Sequence, residues 1–318
     1  MTTWLAIVNP HAGSAKSRKK TSAVIQAIRE QCPGEFKVAE TEYSGHATAL
    51  AKEATQAAYS ALLSLGGDGT HNEVLNGLMK QDGQARNPDL ALGVVNAGTG
   101  GDFVRFLYGK RPPEEIARSL ASAKPKAVDI GQCTFQDFEG RLQSRLFLNI
   151  ASFGLSGEVV HQMKNSSLRF GGQFSYLLNT IRALTQYRSS EIRISIDDGP
   201  KISRKVQTTA VANGQYFGGG MKIAPESDIQ DGILDVIAVE DMPFLSTLIA
   251  SPSLYTGAHL SHPRVHTSRA VKVEAETLNP EGPPIRVELD GEQPGFLPAT
   301  FKVIPSALKL LTPSEGLP

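Results

Sequence analysis

Ala61-Leu62-Leu63-Ser64-Leu65-Gly66-Gly67-Asp68-Gly69-Thr70 joins an apolar run to a glycine turn, and a helix-like stretch from His71 to Met79 follows. Strand, glycine turn and helix, in that order, shape a backbone to hold phosphate. Glycine permits positive φ and lets a phosphate oxygen approach the amides closely. The start of the helix adds unpaired N–H donors and the positive end of a dipole. Asp68 stands in the middle of this turn, where a bare carboxylate would repel phosphate. Its presence suggests a bridging Mg²⁺ or a part in setting the loop.

The same pattern repeats on either side. Trp4–Val8 is a β-rich run ending in Asn9-Pro10-His11-Ala12-Gly13, with a helix expected from Ser14 to about Glu30. Phe36–Ala39 is a second strand, followed by a turn from Thr41 to Gly45 and a helix over Ala47–Tyr59. Leu90–Val95 is a fourth, ending in Asn96-Ala97-Gly98-Thr99-Gly100-Gly101-Asp102 ahead of a helix over Phe103–Tyr108. Four strands, each leading through a turn into a helix, predict a parallel sheet with ligands beyond the carboxyl ends of its strands. Past Lys124-Pro125-Lys126 the texture changes to short β-branched runs at 128–130, 146–151, 191–196, 206–212, 234–239, 270–273 and 285–289. That spacing predicts an antiparallel sandwich or barrel. A helical insert over Gln173–Tyr187 carries Phe174, Leu177, Leu178, Ile181 and Leu184 on one face, for core packing or as a flap over an apolar substrate.

Composition narrows the function. Lys and Arg total 32 and Asp and Glu total 32, so overall charge gives a nucleic-acid partner no support. The one dense basic cluster, Lys16-Ser17-Arg18-Lys19-Lys20, reads as a solvated helix face or as a contact for phosphate or an anionic membrane. Cys32 and Cys133 have no Cys-x-x-Cys partner and fit a reducing cytoplasm. No run approaches the ~18 apolar residues of a membrane span, although contact at a membrane surface stays open. His259, His262 and His266 surround Pro263 without the helical spacing of a zinc protease.

Taken in order, the motifs are Asn9-Pro10-x-x-Gly13, Thr41, Gly66-Gly67-Asp68-Gly69-Thr70-x-Asn72-Glu73, Gly98-Thr99-x-x-Asp102-Phe103, Asn213-Gly214-x-x-x-Gly218-Gly219-Gly220, Pro225, Asp231-Gly232-x-Leu234 and Asp290-Gly291-Glu292. This set resembles the diacylglycerol kinase catalytic-domain family in its soluble bacterial lipid kinase form, to which sphingosine and ceramide kinases are related. The resemblance implies an N-terminal α/β domain with a parallel sheet (NAD kinase/diacylglycerol kinase-like), residues 1–125 with about 300–318 returning to it. An all-β sandwich for the lipid substrate, residues 126–299, would follow, with the active site in the interdomain cleft. It implies ATP and Mg²⁺. Nucleotide would be held by Asn9, Pro10, Gly13, Thr41, Gly66, Gly67, Asp68, Gly69, Thr70, His71, Asn72, Thr99 and Asp102. Asp290 and Glu292 would be catalytic, and Asp228, Asp231 and Ile233 would match a structural Mg²⁺ site. Implied partners are a lipid with a free hydroxyl and a transient membrane-surface contact, with the protein cytoplasmic or peripheral at the inner membrane. A homodimer is compatible with the sequence, and oligomeric state stays open. Two departures stand out: Gly101 where the family usually has Asn, and Asn96 where it usually has Pro.

Phosphoryl transfer to an alcohol needs a neutralised γ-phosphate, an in-line hydroxyl and a carboxylate that takes the proton late. Asp290 is the expected base, with Glu292 orienting it or linking it to a metal, and Asp-Gly-Glu is expected to put both carboxylates on one side of an extended chain. The bland reading of the same residues is a polar hairpin turn. Asp68 and Asp102 either manage Mg²⁺ or cap the helix that follows each. Two alternatives remain: an NAD kinase-like enzyme, which shares the Gly-Gly-Asp-Gly-Thr turn, and a nucleotide-binding sensor with little turnover.

Overall fold

The computed structural model describes residues 3–13, 15–32, 34–97, 101–165 and 182–312, with side chains omitted at 15–20, 164 and 165. The basic cluster's side chains, Thr99, and Phe174, Leu177, Leu178 and Ile181 of the insert lie outside the described residues. The chain divides into two compact units, residues 1–130 with 305–318, and residues 131–304.

In the N-terminal unit β1 (Thr3–Val8), α1 (Ala15–Gln31), β2 (Glu35–Glu40), α2 (His46–Ala54), β3 (Ala61–Gly66), α3 (Asp68–Leu78) and β4 (Ala91–Asn96) alternate, followed by α4 (Asp102–Tyr108) and α5 (Pro113–Leu120). The strands are parallel in the order β2-β1-β3-β4. β3 is buried along its whole length, as expected of a central strand with both faces covered. The glycine turn is shorter than its sequence suggests. α3 begins at Asp68, so Gly69 and Thr70 belong to its first turn, and only Gly67 remains as the extended residue ahead of it.

β5 (Lys124–Gln136) leads out of this unit. In the C-terminal unit β6 (Leu142–Phe147), β7 (Ile150–Gly154), α6 (Leu155–Asn165), β8 (Ser190–Ile196), β9 (Ile202–Ala212), β10 (Leu234–Glu240), β11 (Val265–Ala270), β12 (Lys272–Thr277), β13 (Arg286–Leu289) and β14 (Glu292–Thr312) follow. The strands pair antiparallel along β11-β10-β9-β7-β13-β14, with β8 and β12 closing from β9 back to β14. Phe147, Phe153 and Phe301 are fully buried among Val211, Val236, Val273, Val287 and Leu289. The two units together are an α/β domain followed by a β-rich domain.

β14 was not legible as one strand, because Pro294, Pro298 and Pro305 read as breakers. It holds by changing neighbours: residues 292–296 face β13, 299–302 face β12, and Leu310 pairs with Leu92 of β4. Within the N-terminal unit this returning segment is fastened at Ser306, whose amide donates to Asp129 Oδ1 at 2.7 Å, and at Leu311, whose carbonyl accepts from Tyr108 Oη at 3.0 Å.

Candidate functional site

The ends of β1 and β3 meet through side chains. Asn9 Nδ2 donates to Thr70 Oγ1 at 3.1 Å, and its amide donates to the Leu65 carbonyl at 2.9 Å. Thr70 fits because Gly66 has no side chain: a Cβ there would stand 2.5 Å from Thr70 Cβ. Thr41 is buried at the end of β2, with its amide on the Val8 carbonyl at 2.8 Å. Asn9, Thr41, Gly66, Gly67 and Thr70 are thus gathered at the carboxyl ends of neighbouring strands. His71 and Asn72 are not presented there. Both are buried in the unit's interior, His71 Nδ1 sharing a hydrogen bond with Ser64 Oγ at 2.7 Å. Burial pushes the imidazole down to about 4, against a smaller upward pull from Asp68, so the ring is neutral near pH 7. Its position in α3 turns His71 toward β3.

Asp68 acts away from the helix it opens. It makes no cap for its own helix α3. Its Oδ2 accepts from the amides of Gly101 and Asp102 at 3.0 and 3.2 Å, and its Oδ1 from Phe103 at 3.3 Å. The carboxylate therefore occupies the N-terminal end of α4, the kind of donor cluster a phosphate would otherwise seek. These contacts fix the turn before α4. Asp102 opens α4 as a buried residue, 3.8 Å from Arg105.

The same turn explains Gly101 and Asn96 together. Gly101 has φ +117, and a Cβ on it would lie 2.3 Å from Asn96 Nδ2. The space that a side chain at 101 would fill is taken by the side chain at 96. In this chain the residues at 96 and 101 are coupled by packing.

In the C-terminal unit, Asp290 and Gly291 form the two-residue turn between β13 and β14, with φ of 48 and 86 and Leu289 paired to Glu292. That is a tight hairpin of the Asp-Gly kind, not an extended segment. The Asp290 carboxylate is held by three successive amides. Oδ2 accepts from Leu148 at 2.8 Å, and Oδ1 from Asn149 and Ile150 at 3.0 and 3.1 Å. The Asn213-Gly214 motif supports that cradle from behind. Asn213 Nδ2 donates to the Leu148 carbonyl at 2.7 Å, and the amides of Asn213 and Gly214 donate to the Asn149 carbonyl at 2.9 Å.

Glu288 was missed by sequence reasoning. It faces Ser152 across the β13–β7 ladder, accepts a short hydrogen bond from Ser152 Oγ, and accepts from the Gly291 amide at 2.5 Å. Burial pushes it up to about 7, with the Asp290 and Glu292 charges adding and the two donors opposing. An alternating strand carries no signal for such a group. Only its place two residues before Asp290 hinted at it.

The Diacylglycerol kinase catalytic domain matches residues 3–133, and the YegS C-terminal NAD kinase beta sandwich-like domain matches residues 149–312. The chain belongs to the diacylglycerol kinase catalytic-domain family. That membership places it among phosphotransferases with an alcohol acceptor. A diacylglycerol kinase of Bacillus subtilis is 28% identical over 312 residues, covering 97% of this chain and 96% of that protein. One from Mycobacterium tuberculosis is 26% identical over 312 residues, covering 98% and 95%. In fold, the chain is similar to a crystal structure of a diacylglycerol kinase from Bacillus anthracis (TM-score 0.71, 20% identity, 98% and 97% covered). It is similar also to yeast NADH kinase complexed with NADH (TM-score 0.50, 11% identity, 97% and 82% covered).

Of the residues expected at a structural Mg²⁺ site, the two carboxylates have partners within the protein. Asp228 and Asp231 each accept the amide two residues ahead, from Gln230 and Ile233, both at 3.0 Å. The other oxygen of Asp231 is bonded to the Arg269 guanidinium, which also lies 3.6 Å from Asp235. The three histidines have separate partners: His259 the Ile223 carbonyl, His262 the Arg264 amide and His266 the Glu240 carboxylate.

Proposed function

We propose that the protein is an ATP-dependent lipid kinase that transfers the γ-phosphate of ATP, supplied as its Mg²⁺ complex, to the hydroxyl of a lipid such as diacylglycerol. The observation that carries this reading is the fixing of Asp290 by the amides of residues 148–150. A carboxylate held by backbone donors keeps one orientation, which suits a group that must take a proton from an alcohol at a fixed place. Glu292, the next residue but one, follows the turn and shares its field. In the N-terminal unit, Asn9, Gly13, Thr41, Gly66, Gly67 and Thr70 hold the nucleotide, with Asp68 shaping the turn at 101–103. The bond from γ-phosphorus to the bridging oxygen of ADP breaks, the lipid oxygen bonds to phosphorus, and Asp290 receives the hydroxyl proton.

The test is purified protein with labelled ATP and a total lipid extract, the product being identified by mass spectrometry. Label should enter a lipid. Asp290→Asn, which keeps the side chain's size and one acceptor oxygen, should lower transfer by about a hundredfold or more while ATP affinity by calorimetry is kept. Label on NAD with none in lipid, or an unimpaired Asp290→Asn, overturns the reading.

A further inference from the structure

The helix Phe244–Ala250, after β10, has no buried residue. Thr247 holds it to β9, exchanging hydrogen bonds with the Gln207 side chain at 3.3 and 3.4 Å. Helical spacing therefore turns Thr247, Ala250 and Ser251, all half-buried, inward. It turns Leu245 and Ile249 directly outward, where they are 63% and 72% exposed. Phe244, Leu248 and the nearby Tyr255 extend the same exposed apolar surface. A helix on a water-facing surface ordinarily shows polar residues on that side, and here only Ser246 does so.

Charge is distributed to match. Residues 242–263 contain no Asp, Glu, Lys or Arg. At the helix's N-terminal edge, Asp241 is the centre of a cationic rim. Its Oδ2 accepts from Lys205 Nζ at 2.9 Å, and its carbonyl accepts from Arg264 at 2.6 Å. Ser189, next to the exposed Arg188, also bonds to its side chain. Lys205 and Arg264 face this one carboxylate, and the exposed Arg188 is the chain neighbour of its partner Ser189, a local positive excess in a chain whose formal net charge is zero. Glu240, the neighbouring acid, is matched by Arg204 and His266.

We infer that the helix Phe244–Ala250, with Tyr255, is the face by which the protein docks on an anionic lipid bilayer, its apolar stripe entering the interface and Arg188, Lys205 and Arg264 meeting the headgroups. An interfacial helix needs this arrangement: bulky apolar groups on one face, cations at its border and no acid along its length. The inference rests on the lipid-kinase reading, since a long-chain acceptor resides in a bilayer and the enzyme must reach it there.

The test pairs the wild-type chain with Leu245→Glu/Ile249→Glu. Sedimentation with vesicles of phosphatidylglycerol and phosphatidylcholine should show wild-type binding that weakens with salt and with loss of phosphatidylglycerol. The double variant should bind at least about tenfold more weakly. Its ATP-dependent phosphorylation of long-chain diacylglycerol in those vesicles should fall alike, while phosphorylation of monomeric dihexanoylglycerol should be unchanged. Equal sedimentation of the two proteins overturns the inference. So does a lowered melting temperature in the variant, which would mean the face packs against the protein itself, or a wild-type dimer that the variant turns to monomer. Absence of lipid phosphorylation in both assays, with vesicle binding intact, sinks the kinase reading and leaves the docking face standing.

Discussion

Replacing Glu288 by glutamine should flatten the pH dependence of stability of the C-terminal unit. The folded carboxyl titrates at about 7 and an ordinary glutamate at 4.5. Above pH 4.5 the unfolded chain gives up this proton while the folded chain keeps it, so stability is full below 4.5, falls as pH rises through 7, and is level beyond. The interval between the two values, at about 1.4 kcal/mol per pH unit, sets an upper limit of about 3 kcal/mol lost between pH 4 and pH 8. Glutamine fits the site: its oxygen can accept from the Gly291 amide and its NH₂ can donate to Ser152 Oγ, the two partners of Glu288. Urea unfolding followed by circular dichroism at a series of pH values, on wild type and Glu288→Gln, isolates the contribution as the difference between two curves. The variant should gain on the wild type as pH rises, by up to about 3 kcal/mol at pH 8. Parallel curves would refute the argument, because they would mean that Glu288 is ionised in the folded protein throughout.

His71 should act with the opposite sign in the N-terminal unit. Its folded value near 4 lies below the ordinary 6.5, so its stabilising effect is present above 6.5 and lost as pH falls through 4. Fluorescence of Trp4, the single tryptophan, buried in β1, should report up to about 3 kcal/mol of acid destabilisation that His71→Gln reduces. Asp68→Ala leaves the amides of 101–103 without their acceptor and should cost about 2 kcal/mol by the same probe, whereas a purely metal-binding Asp68 would cost nothing in metal-free buffer. Gly101→Ala should cost about 2 kcal/mol through overlap with Asn96 and a left-handed backbone, and part of this should return in Asn96→Gly/Gly101→Ala. Strict additivity of those two changes would separate the residues and end the idea that packing couples them.

The parallel sheet was readable because its pattern is local: apolar runs of strand length, each punctuated by glycine or asparagine before a helix. The antiparallel half was readable as strands but not as an order. Its ladders join residues far apart, such as β7 with β13 and β8 with β12, and nothing in a β-branched run names its neighbour. β14 was hidden for a related reason. Its prolines break a single ladder, yet a strand that changes partners along its length can carry them.

At the site the division follows the same physics. The sequence by itself determined where glycines stand at the site, Gly66 at a close approach and Gly291 in a turn, and which carboxylates stand beside them, Asp68, Asp290 and Glu292. It determined the family through six short runs of fixed spacing, with Thr41 and Pro225 in order between them. What those carboxylates touch was decided only by tertiary structure. Asp68 reaches the amides of 101–103 and Asp290 those of 148–150, contacts that span 33 to 35 and 140 to 142 positions of chain. The neutral His71, the paired departures at 96 and 101, and the buried Glu288 belong to the same class. A side chain's partners and burial come from segments that folding brings together, and a linear sequence holds no record of that distance.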